Sequence, residues 1–292
     1  MTLEQLRIFV AVAERQHLTR AADALALTPS AVSASIRALE DRYGTPLFDR
    51  IGRRIEVNGA GRVFLDEARA TLARAASAER TLAELAGLQR GTLALQASQT
   101  IASYWLPPLL VRFRAAYPRI DVGVEVGNTQ TVAAAVHQGA ADLGLIEGTV
   151  VDEALAIEEV GQDSMAVVVA PAHPWARRRR LSVAELQAAE WIMRESGSGT
   201  RSVFEAALAR HGVDVAALQV ALTLPSNEAV RAAVMTGRYA AGLSELVAAP
   251  YIAAGLLATA PLALPPRGFF LLRHRERYRS KAAQAFAQLL RA

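Results

Sequence analysis

Leu3, Leu6, Phe9, Val10 and Ala13 recur at intervals of three and four, which lines one face of a helix and predicts a first helix ending near Glu14. Arg20 to Leu25 predicts a short second helix capped by Thr19, with Ala26-Leu27 as the turn. A third helix is expected from Pro29 to about Arg42. Thr28 is a good N-cap, Pro29 sits where its missing N–H costs nothing, and Gly44 supplies the stop. Val32, Ile36 and Leu39 form its buried stripe, and Leu27 and Val32 are spaced as a hydrophobic staple. Two short alternating runs, Leu47 to Ile51 and Ile55 to Val57, flank Gly52-Arg53-Arg54 and predict a hairpin with a basic tip.

Asn58 caps the next pattern, a helix from about Gly59 to Leu88 without a proline. Leu65, Ala68, Leu72 and Ala75, resumed by Leu82 and Leu85, form a narrow seam along it. A polar helix of about 30 residues with such a seam suits pairing with a copy of itself. After Gly91 the pattern changes to alternating strands and helices. Strands are expected at Thr92 to Ala97, Ile120 to Val126 and Leu143 to Ile146, with helices at Gln99 to Tyr117 and Thr129 to Gln138. A second series contains strands at Met165 to Ala170, Trp191 to Met193, Val220 to Leu224 and Tyr239 to Gly242, with helices at Thr200 to Arg210 and Asn227 to Met235. Alternation of this kind predicts parallel sheets with crossover helices. The last strand, Phe269 to Arg273, and the helix Ser280 to Leu290 are expected to dock back on the first lobe.

Composition narrows the class. The 292 residues point to about two domains, and the absence of cysteine excludes disulfides and thiolate metal sites. No apolar run approaches the roughly 20 residues of a membrane helix, and Glu4 and Glu14 interrupt the apolar pattern of the N-terminus, so a cytoplasmic protein without membrane partners is expected. Net charge is only +4, although Lys281 is the single lysine among 32 basic residues. Particular arginines, not their number, therefore have to carry any nucleic-acid argument.

On the third helix Ser30, Ser33, Ala34 and Arg37 share a face distinct from the buried stripe. Short hydroxylic side chains allow a helix to approach a DNA major groove closely and to bond base edges or phosphates. A short helix, a capped turn, a second helix and an Arg-tipped hairpin make a winged helix-turn-helix the expected architecture.

The stretches FVAVAERQHLTRAADALALTPSAVSASIRALE, YGTPLFDRIGRR and GAGRVFLDEA resemble the N-terminal domain of LysR-type transcriptional regulators. LPPLLVRFRAAYPRIDV, GAADLGLIEG and RESGSGTR continue the resemblance, in order and spacing, through the second half. The implied fold is an all-α winged helix-turn-helix domain (1–58), a linker and dimerisation helix (59–90) and an α/β, two-lobed, periplasmic-binding-protein-like effector domain (91–292). Lobe I would hold about 91–161 and 268–292, and lobe II about 162–267. The resemblance further implies promoter DNA, a small effector and a second subunit as partners, assembly into dimers and tetramers, and RNA polymerase as a candidate partner. It places Thr28, Pro29, Ser30 and Ser33 at bases or adjacent backbone and Arg50, Arg53 and Arg54 in the wing. Thr19 and Arg20 are expected phosphate contacts, Thr19 serving equally as a cap. Ala34 and Ser35 stand where many members carry Arg and Gln, and Pro29 where they carry Gln, which shifts the expected readout from bases toward shape and backbone.

In the second half, Ser98-Gln99-Thr100, Asn128-Thr129, Ser196 with Ser198-Gly199-Thr200, and Ser226-Asn227 each follow a strand and open a helix. Ligands of open α/β sheets bind at such ends, and helix N-termini favour anions. Arg201 is the expected charge partner for an effector, while Glu147 and Glu195 count against a strongly anionic one or select an amine. SQTIASYWLPPLL and VGNTQTVAAAVHQG are similar to the branch controlling sulfur assimilation, which makes a sulfate-like oxyanion or a sulfur metabolite the expected effector, with no cofactor and no metal. No nucleophile elbow or metal spacing argues for an enzyme. His173 reads as structural and the Arg177 to Arg180 run as solvated surface. The competing expectation is a cytosolic small-molecule-binding protein whose N-terminal domain mediates protein contacts only.

Overall fold

A computed structural model of the chain describes residues 1–51, 54–85 and 91–291. It divides into two compact units, the first built from residues 1–86 and the second from nearly all the rest. In the first unit, α1 (Leu3–Arg15), α2 (Leu18–Ala24) and α3 (Pro29–Tyr43) precede a hairpin of β1 (Phe48–Ile51) and β2 (Arg54–Val57), then α4 (Gly59–Leu85). Thr28 Oγ1 accepts from the Ala31 N–H at 3.3 Å, and Gly44 closes α3 at φ +61°, a left-handed conformation that glycine adopts without a Cβ penalty. Thr19 is not the cap of α2. The helix begins earlier, at Leu18, and His17 Nδ1 accepts from the Arg20 N–H at 3.4 Å.

The core of this unit gathers Leu6, Phe9, Val12, Ala21, Val32, Ile36, Leu39 and Ile55. The Phe9 ring lies 5.4 Å from Phe48 and 4.8 Å from Phe64. Only the first half of the expected seam of α4 turns onto its own unit. Ala68 is buried, and Leu65 and Leu72 pack against this same core. Leu82, farther along the seam, is exposed, as is Val63 outside it. A narrow apolar stripe cannot report by itself which body covers it.

The second unit holds two five-stranded sheets. The first, in order β4-β3-β5-β12-β6, is made of β3 (Gly91–Ser98), β4 (Ile120–Gly127), β5 (Leu143–Glu147), β6 (Leu155–Asp163) and β12 (Arg267–His274). α5 (Leu106–Ala116), α6 (Thr129–Gln138) and α11 (Lys281–Arg291) belong to this lobe, and Phe286 of α11 packs edge-on to Phe113 at 5.1 Å. The C-terminal strand and helix therefore do return to lobe I. The second sheet, β11-β7-β10-β8-β9, contains β7 (Met165–Val169), β8 (Glu190–Arg194), β9 (Gln219–Leu224), β10 (Ala240–Ser244) and β11 (Ala258–Thr259). Its helices are α7 (Val183–Ala188), α8 (Gly199–Arg210), α9 (Asn227–Val234) and α10 (Glu245–Ala253).

The sheets are mixed rather than parallel. β12 runs antiparallel to both β5 and β6, and β10 antiparallel to β7. β6 carried no expectation because its outward positions, such as Glu158 and Gln162, break the buried-strand pattern. The helix expected from Gln99 onward contains a π-helical turn, Ile101–Trp105, before α5 starts at the Pro107-Pro108 pair. A proline in the first turn of a helix replaces an N–H that has no partner there anyway. His173 caps the short turn Pro174–Arg177 by accepting from the Trp175 N–H at 3.1 Å, and burial holds its imidazole below the usual histidine range. Arg177 to Arg180 are exposed, as a solvated run should be. Among the described residues no helix is long and apolar enough to cross a membrane.

Candidate functional site

In the first unit, the buried stripe of α3 fixes which side of the helix faces out. Val32, Ile36 and Leu39 are buried, while Thr28, Pro29, Ser30, Ala34 and Arg37 are exposed and Ser33 is half-buried. Thr28 Oγ1 and Ser30 Oγ lie 3.1 Å apart, and Arg37 Nη2 donates to Ser33 Oγ at 3.3 Å, so one strip of α3 presents hydroxyls and a guanidinium together. Thr19 and Arg20 are exposed at the start of α2. In the hairpin Ile51 pairs with Arg54; Gly52 and Arg53 lie outside the described residues, as do the side chains of Arg50 and Arg54.

In the second unit, strand ends from both lobes meet. Ser98 at the end of β3 and Glu147 at the end of β5 are buried, as are Thr100, Thr129, Ser198, Thr200 and Asn227 at helix starts. The register puts the ends of β3, β4 and β5 side by side, so three separate sequence segments deliver their polar residues to one edge. Across the cleft, Asn227 Nδ2 donates to Thr100 Oγ1 at 3.0 Å and the Asn227 N–H to Gln99 Oε1 at 2.7 Å. Thr100 and Thr200 hydroxyls lie 3.4 Å apart, and Thr200 Oγ1 donates to Glu147 Oε1 at 3.2 Å. Ser98 Oγ donates to Glu147 Oε2, and Thr129 Oγ1 to the Glu147 carbonyl at 2.6 Å. Asn128 Nδ2 reaches Glu195 Oε1 and the Ser196 carbonyl, both at 3.4 Å. Gly199 is what permits this approach: a Cβ there would sit 2.0 Å from the Glu147 carbonyl oxygen and 2.4 Å from Thr129 Oγ1.

Four expected residues stand apart from this network. Ser196 is exposed and engages only through its carbonyl. Ser198 and Ser226 act as N-caps, accepting from Arg201 and Ala229 N–H groups at 3.4 and 3.1 Å. Arg201, the expected charge partner, is engaged elsewhere. Its Nε donates to Glu205 Oε1 at 2.7 Å and its Nη1 to the Arg194 carbonyl at 3.1 Å, which ties it to its own helix and to β8.

Two other arginines join the cleft network instead. Arg194 ends β8; its Nη1 donates to Gln99 Oε1 at 3.0 Å and to Asn227 Oδ1 at 2.7 Å, and its other nitrogens to Glu195 at 2.7 and 3.0 Å. Arg267 opens β12 opposite Asp163 of β6, where the chain crosses between lobes. Its Nε and Nη2 donate to Asp163 Oδ2 at 2.9 and 2.6 Å, its Nη1 donates to Thr200 Oγ1 at 3.0 Å, and Glu147 Oε1 lies 3.7 Å away. Arg194 already stood in RESGSGTR, but only the strand register shows that it points inward. Arg267 follows two prolines and opens an apolar run, which in sequence marks nothing beyond a strand start.

A second polar group flanks the cleft. Tyr104 OH donates to Glu228 Oε1 at 2.7 Å and Gln99 Nε2 to Glu228 Oε2. Burial and then the Glu228 carboxylate push the Tyr104 phenol up to about 12, so it remains a donor. Burial raises Glu228, but hydrogen bonds from Tyr104 and Gln99 and the Arg231 charge outweigh it and hold the carboxyl below its ordinary range.

Known proteins share both halves. The family model described as bacterial regulatory helix-turn-helix protein, lysR family, matches residues 3–62, and the LysR substrate binding domain matches residues 86–292. The uncharacterized HTH-type transcriptional regulator YeiE of Escherichia coli K12 is 35% identical over 288 residues, covering 98% of this chain and 96% of YeiE. The crystal structure of full-length CbnR complexed with its target DNA superposes over 100% of this chain and 99% of CbnR with a TM-score of 0.71 at 23% identity. The regulatory domain of CcmR from Synechocystis PCC6803, in complex with 2-PG, covers 69% of this chain and 96% of that domain, with a TM-score of 0.63 at 26% identity. A helix-turn-helix unit with a hydroxylic outer strip, followed by a two-lobed unit with a polar cleft, thus has whole-chain relatives, and this chain belongs to the LysR family of transcriptional regulators.

Proposed function

We propose that the chain is a ligand-responsive regulator that reads promoter DNA with α3 and the β1–β2 wing and senses a small effector between its α/β lobes. The observation that carries this reading is the meeting of four helix starts, two from each lobe, whose polar side chains bond one another across the cleft. A ligand that exchanges those bonds for its own changes the lobe arrangement by as much as it prefers one arrangement over another. Binding rather than catalysis is proposed there, since the Ser198 hydroxyl is engaged as a helix cap.

On the DNA side, Ser30, Ser33 and Arg37 face bases or adjacent phosphates, Thr28 and Pro29 set the approach, and Arg20, Arg50, Arg53 and Arg54 meet the backbone. Subunits pair through α4. Its exposed Val63 borders an apolar groove of about 520 Å³ whose lining includes Met1, Tyr43 and Phe64, and Leu82 is exposed farther along. Tetramers, contact with RNA polymerase and work in the cytoplasm complete the proposal.

Ser33→Glu sets a carboxylate beside Arg37 and against phosphate. It is expected to weaken binding to a promoter fragment selected by the intact protein by about tenfold or more. Gel shifts at fixed salt measure this, and unchanged affinity removes Ser33 from the interface. Thr100→Leu fills the cleft with an apolar side chain and leaves the 0%-exposed amide of Asn227 without its acceptor. It is expected to abolish any change that added small anions cause in the gel-shift pattern while DNA binding persists. Loss of DNA binding with an intact small-molecule response contradicts this division of labour.

A further inference from the structure

We propose that a cavity beside α11, at the end of β12 remote from the cleft, is a second ligand site that takes a small phosphate monoester with a short carbon chain. It is separate from the proposed effector site and does not depend on that reading.

The cavity, of about 260 Å³, lies where the edge strand β6, the later half of β12 and α11 meet. Cross-strand pairing sets Glu158 opposite Leu271 and Ala156 opposite Arg273, so these four side chains share one face of the sheet. Leu271 packs with Phe286 and Ala287, which makes it the face that α11 covers. Ala156, Leu271 and Ala287 form the floor, and the two alanines are too short to fill the space between strand and helix. Arg273 follows Arg267 by six residues of one strand. At the rise of an extended chain that is about 20 Å, so cavity and cleft are different places.

Three guanidiniums line this floor, those of Arg273, Arg279 and Arg291, and one carboxylate answers them. Glu158 accepts from Arg291 Nε and Nη2 at 2.5 and 2.6 Å, a fork that engages both of its oxygens and fixes that wall. Among the described residues the side chains of Arg273 and Arg279 have no hydrogen bond or ion pair. Both still act on the same carboxyl. The Arg291 bonds first, then the charges of Arg291, Arg273 and Arg279, hold Glu158 below its ordinary range against the effect of burial. Three arginines against one glutamate leave the wall with two positive charges in excess. A phosphate monoester carries close to two negative charges at neutral pH, and guanidinium forks match its oxygens. The apolar floor takes its carbon chain, whereas an ammonium meets only repulsion from the wall.

The test is titration calorimetry on the full-length protein at fixed salt, with propyl phosphate, inorganic phosphate and propylammonium as probes. Wild type is expected to bind propyl phosphate more tightly than inorganic phosphate, which leaves the floor uncovered, and not to bind propylammonium. Arg273→Gln and Arg279→Gln are each expected to weaken propyl phosphate by roughly tenfold or more, the usual effect of losing a hydrogen bond to a charged group. Arg279 is exposed, so its variant removes a charge without disturbing the core. Ala156→Leu keeps every charge but fills the floor, and it is expected to abolish the advantage of propyl phosphate over inorganic phosphate. Failure of propyl phosphate to bind wild type overturns the proposal, as does an affinity that Arg279→Gln leaves unchanged. Equal or tighter binding of propylammonium does the same. Thr100→Leu tells the two sites apart: propyl phosphate binding that survives it supports the cavity, whereas binding that it abolishes assigns the anion to the cleft and removes the cavity site.

Discussion

Arg267→Met is expected to destabilise the α/β unit by about 3–5 kcal/mol, the typical cost of removing one partner from a buried ion pair. Arg267 is 4% exposed and holds Asp163 through two hydrogen bonds of 2.6 and 2.9 Å while lying 3.7 Å from Glu147. Methionine roughly conserves the stem but leaves two carboxylates in a water-poor place with no cation. The pair also sits where β6 ends and β12 begins, the strands that join the lobes. Urea unfolding followed by tryptophan fluorescence measures the loss, since Trp191 lies in the lobe II core. Arg267→Met combined with Asp163→Asn should recover a good part of the stability, because the charge left unpaired is halved. An unchanged midpoint in the single variant would show that the surplus charge is relieved by other means.

Phe9→Ala is expected to cost a similar amount, about 3–5 kcal/mol, in the first unit. Phe9 is fully buried between Phe48 of the hairpin and Phe64 of α4, so one truncation loosens three elements at once. Amide exchange should quicken through α1–α3, and DNA binding should fall because α3 loses the core that orients it. Persistent protection of α3 together with lost DNA binding would instead assign Phe9 a role in recognition.

Much of the first unit could be read from spacing alone. Val32, Ile36 and Leu39 identify the buried side of α3, and a buried side necessarily defines an outer one. Thr28, Pro29 and Gly44 mark its ends because caps are local chemistry, complete within four residues of chain. Thr19 failed as a cap for the same local reason, since His17 offered a ring nitrogen two residues earlier. The seam of α4 divided for a different one: Leu65, Ala68 and Leu72 have helical spacing whether the body they meet is a copy or their own domain, and here they meet their own, while Leu82 stays exposed.

The cleft was legible in part. Ser98, Thr100, Thr129, Thr200 and Asn227 follow strands and open helices, and the sheets do bring those starts together. The inward orientation of Arg194 and Arg267 was not legible, because nothing near them in sequence distinguishes an inward arginine from the many exposed ones. Arg201 was the natural choice on the motif, but helical spacing gives it Glu205, four residues on, as a partner.

By itself, then, the sequence determined what local interactions control: helix limits, caps, buried stripes, and the strand-then-helix rhythm that delivers polar residues to sheet edges. Only the tertiary structure decided the rest. Antiparallel pairing of β12 with β6 places Arg267 opposite Asp163, 104 residues away, and the approach of two lobes sets Thr200 against Glu147, 53 residues away. The charge of the cleft is a sum over such distant pairs, and no segment of the chain contains it.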